Sequence, residues 1–376
     1  VTRRSYDILV VGGGIAGVSI AAALGEHARV AVLERESQPA YHATGRSAAL
    51  FSALYGPEPI RALSRASQAF LENPPEGFAE APLVRRRGVL YVANADQIAA
   101  FEAFAATPDR VAAAHAVTPE AARTLCPLLR PGYAARALLE REAADIDVHG
   151  LLQGYLRRHR ALGGATFTDA EVLGLSRQAG EWTARTLQGD FSAPVVINAA
   201  GAWADIVARM AGAHQVGLEP RRRTAVLVDP PEGLSVDAWP MVIDIEETFY
   251  FKPDAGLLLL SPADATPCDP CDAQPEELDV AIAIDRVETA TLLQVRRVKH
   301  RWAGLRTFAS DGAPVVGFDP EVAGFFWLAG QGGYGLQTAP ALARTAAALV
   351  LGRALDEDLI AAGVDVAKLA PARFAC

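Results

Sequence analysis

Asp7-Ile8-Leu9-Val10-Val11-Gly12-Gly13-Gly14-Ile15-Ala16-Gly17 opens the stretch that decides the fold, and that stretch runs on to Glu34. A short apolar strand, Ile8 to Val11, meets glycines at turn spacing, and an alanine-rich helix follows. A second apolar strand, Val30-Ala31-Val32-Leu33, stops on the acid Glu34. Gly12 allows the tight turn, Gly14 lets backbone approach a pyrophosphate, and Gly17 lets the helix pack closely on the strand. The helix N-terminus then faces the phosphates. Glu34 stands where a carboxylate accepts hydrogen bonds from an adenosine ribose and repels a 2′-phosphate. A ligand-free βα turn would also use glycine. Strand, helix, second strand and terminal acid in that order predict a dinucleotide-binding unit.

Around this unit the composition describes a folded protein. At 376 residues the chain exceeds the usual limit of one core, so two domains are expected. Hydrophobic residues make up 51% and charged residues 21%, which leaves no disordered tail. A net charge of −9 argues against nucleic-acid binding. No apolar run is long enough to span a bilayer, and the N-terminal run lacks a cleavable signal core. The expectation is a soluble, cytoplasmic protein without an integral membrane segment; peripheral membrane association stays open. Four cysteines are too few for a disulfide framework. Cys268-Asp269-Pro270-Cys271 has redox or half-zinc spacing, yet no second such pair and no nearby histidine accompany it. It reads as coincidence. His27, His115, His149, His159, His214 and His300 show no metal spacing and are expected on the surface, so no metal is predicted.

Beyond Glu34 the nucleotide pattern breaks off. Residues 85–145 form a different block, with a strand near Val89 to Val92 and then alanine-rich helices. Asp147 is predicted to cap a helix through Leu151 and Tyr155. A strand carrying Glu171 and Val172 is expected next, then Val195-Val196-Ile197 ending in Asn198-Ala199-Ala200-Gly201. Strands dominate residues 216–305, and small-residue turns return at Gln331 to Gly335 before a last Ala/Leu-rich helix. The predicted class is α/β: a Rossmann-like, discontinuous dinucleotide-cofactor domain (1–84, 146–215 and 306–376) with a strand-rich α+β substrate domain (85–145 and 216–305).

The identity of that cofactor comes from a resemblance. The opening fingerprint, Thr44-Gly45-Arg46-Ser47, Asn198 to Trp203, Gly304-Leu305-Arg306 and Gln331 to Gly335 occur in the order seen in the D-amino-acid oxidase superfamily, which includes glycine and sarcosine oxidases. The similarity spans essentially the whole chain. Within the family, Tyr41 to Ala49, Trp239-Pro240-Met241 and Phe249 to Gly256 most resemble bacterial D-arginine dehydrogenase. The resemblance implies FAD, with its flavin ring between the domains. A second small-residue approach near the C-terminus also suits an extended flavin cofactor better than a nicotinamide one. Gly332 and Gly333 precede a helix whose N-terminal dipole can stabilise negative charge on a reduced flavin.

The cofactor-binding residues so implied are Gly12, Gly14, Ile15, Ala16, Gly17, Glu34 and Arg35; Thr44, Arg46, Ser47 and Ala48; Val172, Ala200, Gly201 and Trp203; and Gly304, Gly332, Gly333, Leu336, Gln337 and Thr338. His42, in the matched segment, is read as structural or near the phosphates. Some relatives attach flavin through a cysteine at positions that are Thr307 and Phe308 here, so non-covalent FAD is expected.

For substrate chemistry, the resemblance implies oxidation of an amino acid at Cα. A carboxylate calls for a fixed cationic fork, which a guanidinium supplies. Arg306 fills that role, with Tyr250 beside it, Arg223 as a second contact, the Gly333 carbonyl for the amine, and Tyr55 on the active-site loop. Arg221 and Arg222 are read as a solvated basic edge. Leu50, Ser52, Val89, Met241 and Ile243 complete the expected pocket. Two positions leave the D-arginine dehydrogenase pattern: Leu50 replaces a histidine and Val89 a substrate-pairing glutamate. Arg85 to Arg87 would add repulsion toward a cation. A neutral or apolar D-amino acid is therefore expected. A secondary amine or 2-hydroxy acid is the alternative on the same fold, and a redox sensor using Cys268 and Cys271 a third. The electron acceptor, whether oxygen, a quinone or another carrier, is left open.

Overall fold

The computed structural model describes residues 3–374; the outermost residues of the two terminal segments predicted above lie outside that range. Ile8–Val11 and Val30–Leu33 are buried along their whole length, as apolar runs are when a parallel sheet is covered on both faces. They lie at the centre of a six-stranded sheet. Its order is Ala165–Phe167, Val30–Leu33, Ile8–Val11, Val195–Asn198, Phe325–Ala329 and Val315–Phe318. The first five strands are parallel and the last is antiparallel.

Side chains alternate across this sheet. Ile8, Val10, Val30 and Val32 meet helix residues Ile20, Leu24, Leu63 and Leu342 on one face. Leu9, Val11, Ala31 and Leu33 meet Trp182, Phe191 and Val207 on the other. Full burial of each such aliphatic side chain contributes roughly 2 kcal/mol. The second face is covered by a small sheet of Arg3–Ser5, Gly189–Ala193, Glu181–Thr186 and Gly174–Gln178. Gly12 has a φ of +109°, and a Cβ there would strike the Ala199 carbonyl oxygen, so only glycine makes this turn.

A ten-stranded sheet forms the other half of the molecule. From Gln331–Gly332 it passes through Val298–Phe308, Glu219–Val228, Leu257–Ser261, Tyr250–Asp254, Met241–Asp244, Val89–Ala93 and Arg136–Glu140 to Ala114–Val117. Thr266–Pro267 pairs separately with Glu219–Val228. One face packs under the Glu277–Ala290 helix through Val226, Phe251, Leu258 and Val287. The opposite face carries Tyr91, Ala225, Met241, Ile243 and Tyr250 and looks toward the first sheet. A three-stranded sheet of Leu50–Phe51, Ala144–Ile146 and Val84–Arg86 ties the two halves together.

Asp147 caps the Val148–Ala161 helix as expected, its Oδ1 accepting from the Gly150 N–H at 2.9 Å. Several local expectations do not hold. Glu171 and Val172 lie in an irregular connection, because Asp169 and Ala170 bond instead to the carbonyls of Glu36 and Glu34. Within the strand-rich stretch 216–305, Thr248 and Phe249 are not strand, since the Thr248 N–H and hydroxyl both turn back to Asp244. Arg222 is buried and paired with Glu276 and Asp279, so it is no solvated edge; Arg221 pairs with Glu219. Arg87 is buried against Asp145, and Arg86 pairs with Glu72 and Glu142, so neither is a free charge near the pocket. His159 is buried against the Ala165 carbonyl, and burial lowers its pKa.

Candidate active site

Between the two large sheets runs a long cleft, bounded at one end by Glu34 and Val172 and at the other by Arg306 and Tyr250. The carboxyl ends of the parallel strands open onto it, as is usual for ligand sites in such sheets. At the first end, Glu34 is held by two backbone donors: Gly13 N–H to Oε2 at 2.7 Å and Glu36 N–H to Oε1 at 2.9 Å. Arg35 lies over the Trp203 ring at 4.9 Å, and His42 bonds Glu36 at 2.8 Å while packing on Trp203. The Thr44 hydroxyl accepts from the Ile15 N–H at 3.0 Å, capping a helix whose own Gly14 cannot. Among the described residues the Ala16 N–H keeps no partner, a free donor at a helix N-terminus on the cleft wall.

In the middle, Arg46 fastens the cofactor segment to the opposite sheet. Its guanidinium donates to the carbonyls of Ala273 and Ala303 at 3.0 Å and pairs with Asp272. Ser47 takes the Ala49 N–H at 3.0 Å. Ala48, Ala200, Gly201 and Gly304 line the wall alongside, and Gly332, Gly333, Leu336 and Gln337 line the far side, where the Gly335–Val350 helix begins.

The Arg306 end of the cleft is built by alternation along two paired strands. Arg223 stands opposite Gly304 and Arg221 opposite Arg306, which places Arg223 and Arg306 on the cleft face. Arg306 Nη2 donates to the Tyr55 hydroxyl at 3.3 Å, and that hydroxyl lies 3.4 Å from Glu247 Oε2. The Arg306 guanidinium also lies 5.4 Å from the Phe308 ring centroid and 5.9 Å from that of Tyr334. Among the described residues no carboxylate pairs with Arg306, and the Tyr250 hydroxyl has no hydrogen-bond partner. Burial opposes the charge on Arg306, while the phenol oxygens of Tyr55, Tyr334 and Tyr250 raise its pKa above the ordinary range. Burial likewise raises the Tyr334 phenol. Arg223 is engaged through Nε with the Asp264 carbonyl at 2.6 Å, and its terminal nitrogens make no hydrogen bond among the described residues.

The model of the family described as FAD dependent oxidoreductase (DAO) matches residues 7–349. The chain belongs to that family. FAD is its cofactor, and the cleft fits it: glycine backbone at Gly12, Gly14 and Gly201, the free helix N-terminus at Ala16, and Glu34 held ready at the far wall. The bovine FAD-dependent oxidoreductase domain-containing protein 1 is 29% identical over 175 residues, covering 42% of this chain and 35% of that protein. The chain thus aligns with about a third of that relative's length. Glycine oxidase of Bacillus licheniformis is 24% identical over 373 residues, covering 96% of this chain and 97% of the enzyme. In fold, the chain matches L-proline dehydrogenase from P. horikoshii with a TM-score of 0.82 at 21% identity, over 99% of this chain and 98% of that one.

Within this FAD-dependent oxidoreductase, most of the residues expected at the site line the cleft: Tyr55, Arg223, Tyr250, Arg306, Gly333, Leu50, Met241 and Ile243 from the expected substrate set, and the expected cofactor set apart from two. Four lie elsewhere. Gly17 packs its helix against the Gly12 carbonyl, and Thr338 is fully buried with its hydroxyl on the Tyr334 carbonyl. Val89 is fully buried within the sheet, and Ser52 is buried behind the wall, bonded to Glu140. Tyr91, Glu247 and Glu140 were missed by the sequence reading. Tyr91 and Glu247 line the cleft, and Glu140 lies behind Tyr91, where burial pushes its carboxyl up to about 7. The alternation Val89, Tyr91 carried a signal for the first; Glu140, beside Arg141 and Glu142, reads as a surface charge run.

Cys268 and Cys271 bring their sulfurs to 3.6 Å in the loop beside Asp272. Burial and the neighbouring Cys268 raise the Cys271 pKa, the reverse of what a reactive thiol pair needs. Among the described residues no group of metal-ligating side chains gathers, and no helix is long and apolar enough to cross a membrane.

Proposed function

We propose that the protein oxidises a D-amino acid at Cα, with a preference for neutral or apolar side chains. The observation that carries this reading is Arg306, a partly buried guanidinium without a carboxylate at the closed end of the cofactor cleft, beside the free hydroxyl of Tyr250. Such a charge is costly unless a ligand anion meets it, and a substrate carboxylate does so bidentately. Arg223, its terminal nitrogens free, supplies the second contact. The Gly333 carbonyl accepts from the amine, which loses its proton to solvent beforehand, so no tyrosine has to act as base. Bound FAD would take the hydride from Cα at N5, leaving an imino acid that water hydrolyses to a 2-keto acid and ammonia. The chain's part is to hold Cα in place and keep water out.

Leu50, Tyr91, Met241 and Ile243 make the side-chain end apolar, which favours neutral substrates over the cationic ones suggested by the motif resemblance to D-arginine dehydrogenase. Glu247 favours a second reading. Among the described residues its carboxylate at the cleft has only the Tyr55 hydroxyl as side-chain partner, and a cationic side chain would suit it. A relative named sarcosine dehydrogenase keeps a secondary amine in view. The division into a cofactor module (1–84, 146–215, 306–376) and a substrate module (85–145, 216–305) belongs to the same proposal. A panel of neutral and basic D-amino acids, their L-forms, N-methylglycine and 2-hydroxy acids tests it; D-Arg and D-Lys as best substrates overturn the preference.

A further inference from the structure

Glu140 takes no part in the reaction just described, yet it is a buried carboxyl bonded to Tyr91, which lines the pocket. It is 2% exposed, at the end of the Arg136–Glu140 strand and directly opposite Val89. Around it lie Leu54, Val89, Tyr91 and Met241, an apolar cluster in which an unsatisfied carboxyl is costly. No cation pairs with it among the described residues; the charged group acting on it is Arg110, on the Pro108–Ala113 helix. Its partners are hydroxyls. Ser52 Oγ lies 2.9 Å from both carboxyl oxygens, and Tyr91 Oη lies 3.1 Å from Oε2.

The contacts continue outward. Ser52 Oγ accepts from the Leu54 N–H at 3.2 Å, and the Ser52 N–H donates to Gln337 Oε1 at 3.2 Å. Gln337 Nε2 then donates to Ser64 Oγ at 2.8 Å. One carboxyl therefore links the strand bearing Tyr91, the loop from Leu50 to Tyr55 and the first turn of the Gly335–Val350 helix. All three reach the cleft, where Tyr91, Leu50 and Gln337 line it. Neither Glu140 nor Ser52 does, so the Tyr91 hydroxyl is spent behind the wall and its ring is left to face the ligand.

We propose that Glu140 is a positioning residue for side-chain selection: by holding Tyr91 and Ser52 it fixes an apolar wall of the pocket that receives the substrate side chain. This rests on the reading that Arg306 binds a carboxylate. Removing Glu140 leaves two buried hydroxyls without their partner, and the wall can admit water or turn the Tyr91 hydroxyl inward.

The test uses the FAD-loaded protein and two probes, acetate and 3-phenylpropanoate, titrated by the change each causes in flavin absorption. Acetate reports the clamp alone; 3-phenylpropanoate also needs the wall. For Glu140→Ala the dissociation constant of 3-phenylpropanoate should rise about tenfold while that of acetate changes less than about twofold. Glu140→Gln, which keeps a hydrogen-bonding group of the same shape, should recover most of the loss, and Tyr91→Phe should reproduce part of it in a protein that keeps Glu140. Equal losses for both probes, or no loss for either in Glu140→Ala and Tyr91→Phe, overturn the role of Glu140 and leave the clamp standing. If acetate does not bind the unsubstituted protein at all, the clamp fails, and this inference fails with it.

Discussion

Arg306 lies against Gly333 so closely that a Cβ on residue 333 would enter its guanidinium. Two widely separated pieces of chain, a strand of the large sheet and the turn before the Gly335–Val350 helix, therefore constrain each other's identity. Residue 333 has to be glycine because of its neighbour's side chain, not its own backbone angle. Gly333→Ala is expected to displace the guanidinium while leaving the distant nucleotide end intact. Steady-state kinetics should show kcat/KM lowered roughly 10²-fold, with FAD content unchanged. Loss of FAD in step with activity would locate the damage in the cofactor cleft instead.

Arg306→Ala and Tyr250→Phe probe the clamp directly. The first should lower kcat/KM by roughly 10²–10³-fold and the second by about tenfold, mostly through KM. Kinetics unchanged in both variants would remove these residues from the site.

Glu140 gives a pH signature in stability. Burial raises its carboxyl to about 7 in the folded protein, above the ordinary glutamate value of 4.5. The folded state thus binds the proton more tightly than the unfolded chain. The contribution of this group is fully present below pH 4.5 and is lost as pH rises through 7, to the extent of roughly 3 kcal/mol. Denaturant unfolding of Glu140→Gln against the unsubstituted protein should show this decline in the latter and its absence in the variant. Parallel stability curves across pH 4.5–7 would contradict the account.

By the motif resemblance, Thr307 and Phe308 stand where a flavin-linking cysteine would be, so FAD is expected to be held without a covalent bond. Acid precipitation should leave the yellow colour in the supernatant and a colourless protein pellet. Flavin retained on the denatured chain would point to a covalent link, with Cys271 on the cleft wall as the first place to look.

The nucleotide half of the molecule was legible in the sequence because its constraints are local. Gly12 needs a positive φ, Gly17 needs contact with the Gly12 carbonyl, and both demands fall within one turn. Arg223 and Arg306 were legible only through motif resemblance; strand register then places both on one face. Pocket depth was not legible. Val89 and Tyr91 share a face by alternation, yet Val89 is fully buried, in one apolar cluster with Leu54, while Tyr91 lines the cleft. Glu140 escaped notice because burial comes from long-range packing, and its neighbours Arg141 and Glu142 are exposed charges. Arg222 was misread for the same reason, its partners Glu276 and Asp279 lying more than fifty residues away.

On the proposed function, Arg306 and its neighbours hold an amino acid's carboxylate while Cα is oxidised. Anaerobic mixing of the FAD-loaded protein with a panel of D- and L-amino acids, N-methylglycine and 2-hydroxy acids tests it most directly, with flavin bleaching as the readout. The account predicts fast bleaching by neutral or apolar D-amino acids, slow bleaching by D-arginine and D-lysine, and its loss in Arg306→Ala. Bleaching only by 2-hydroxy acids, or by no member of the panel, would contradict it.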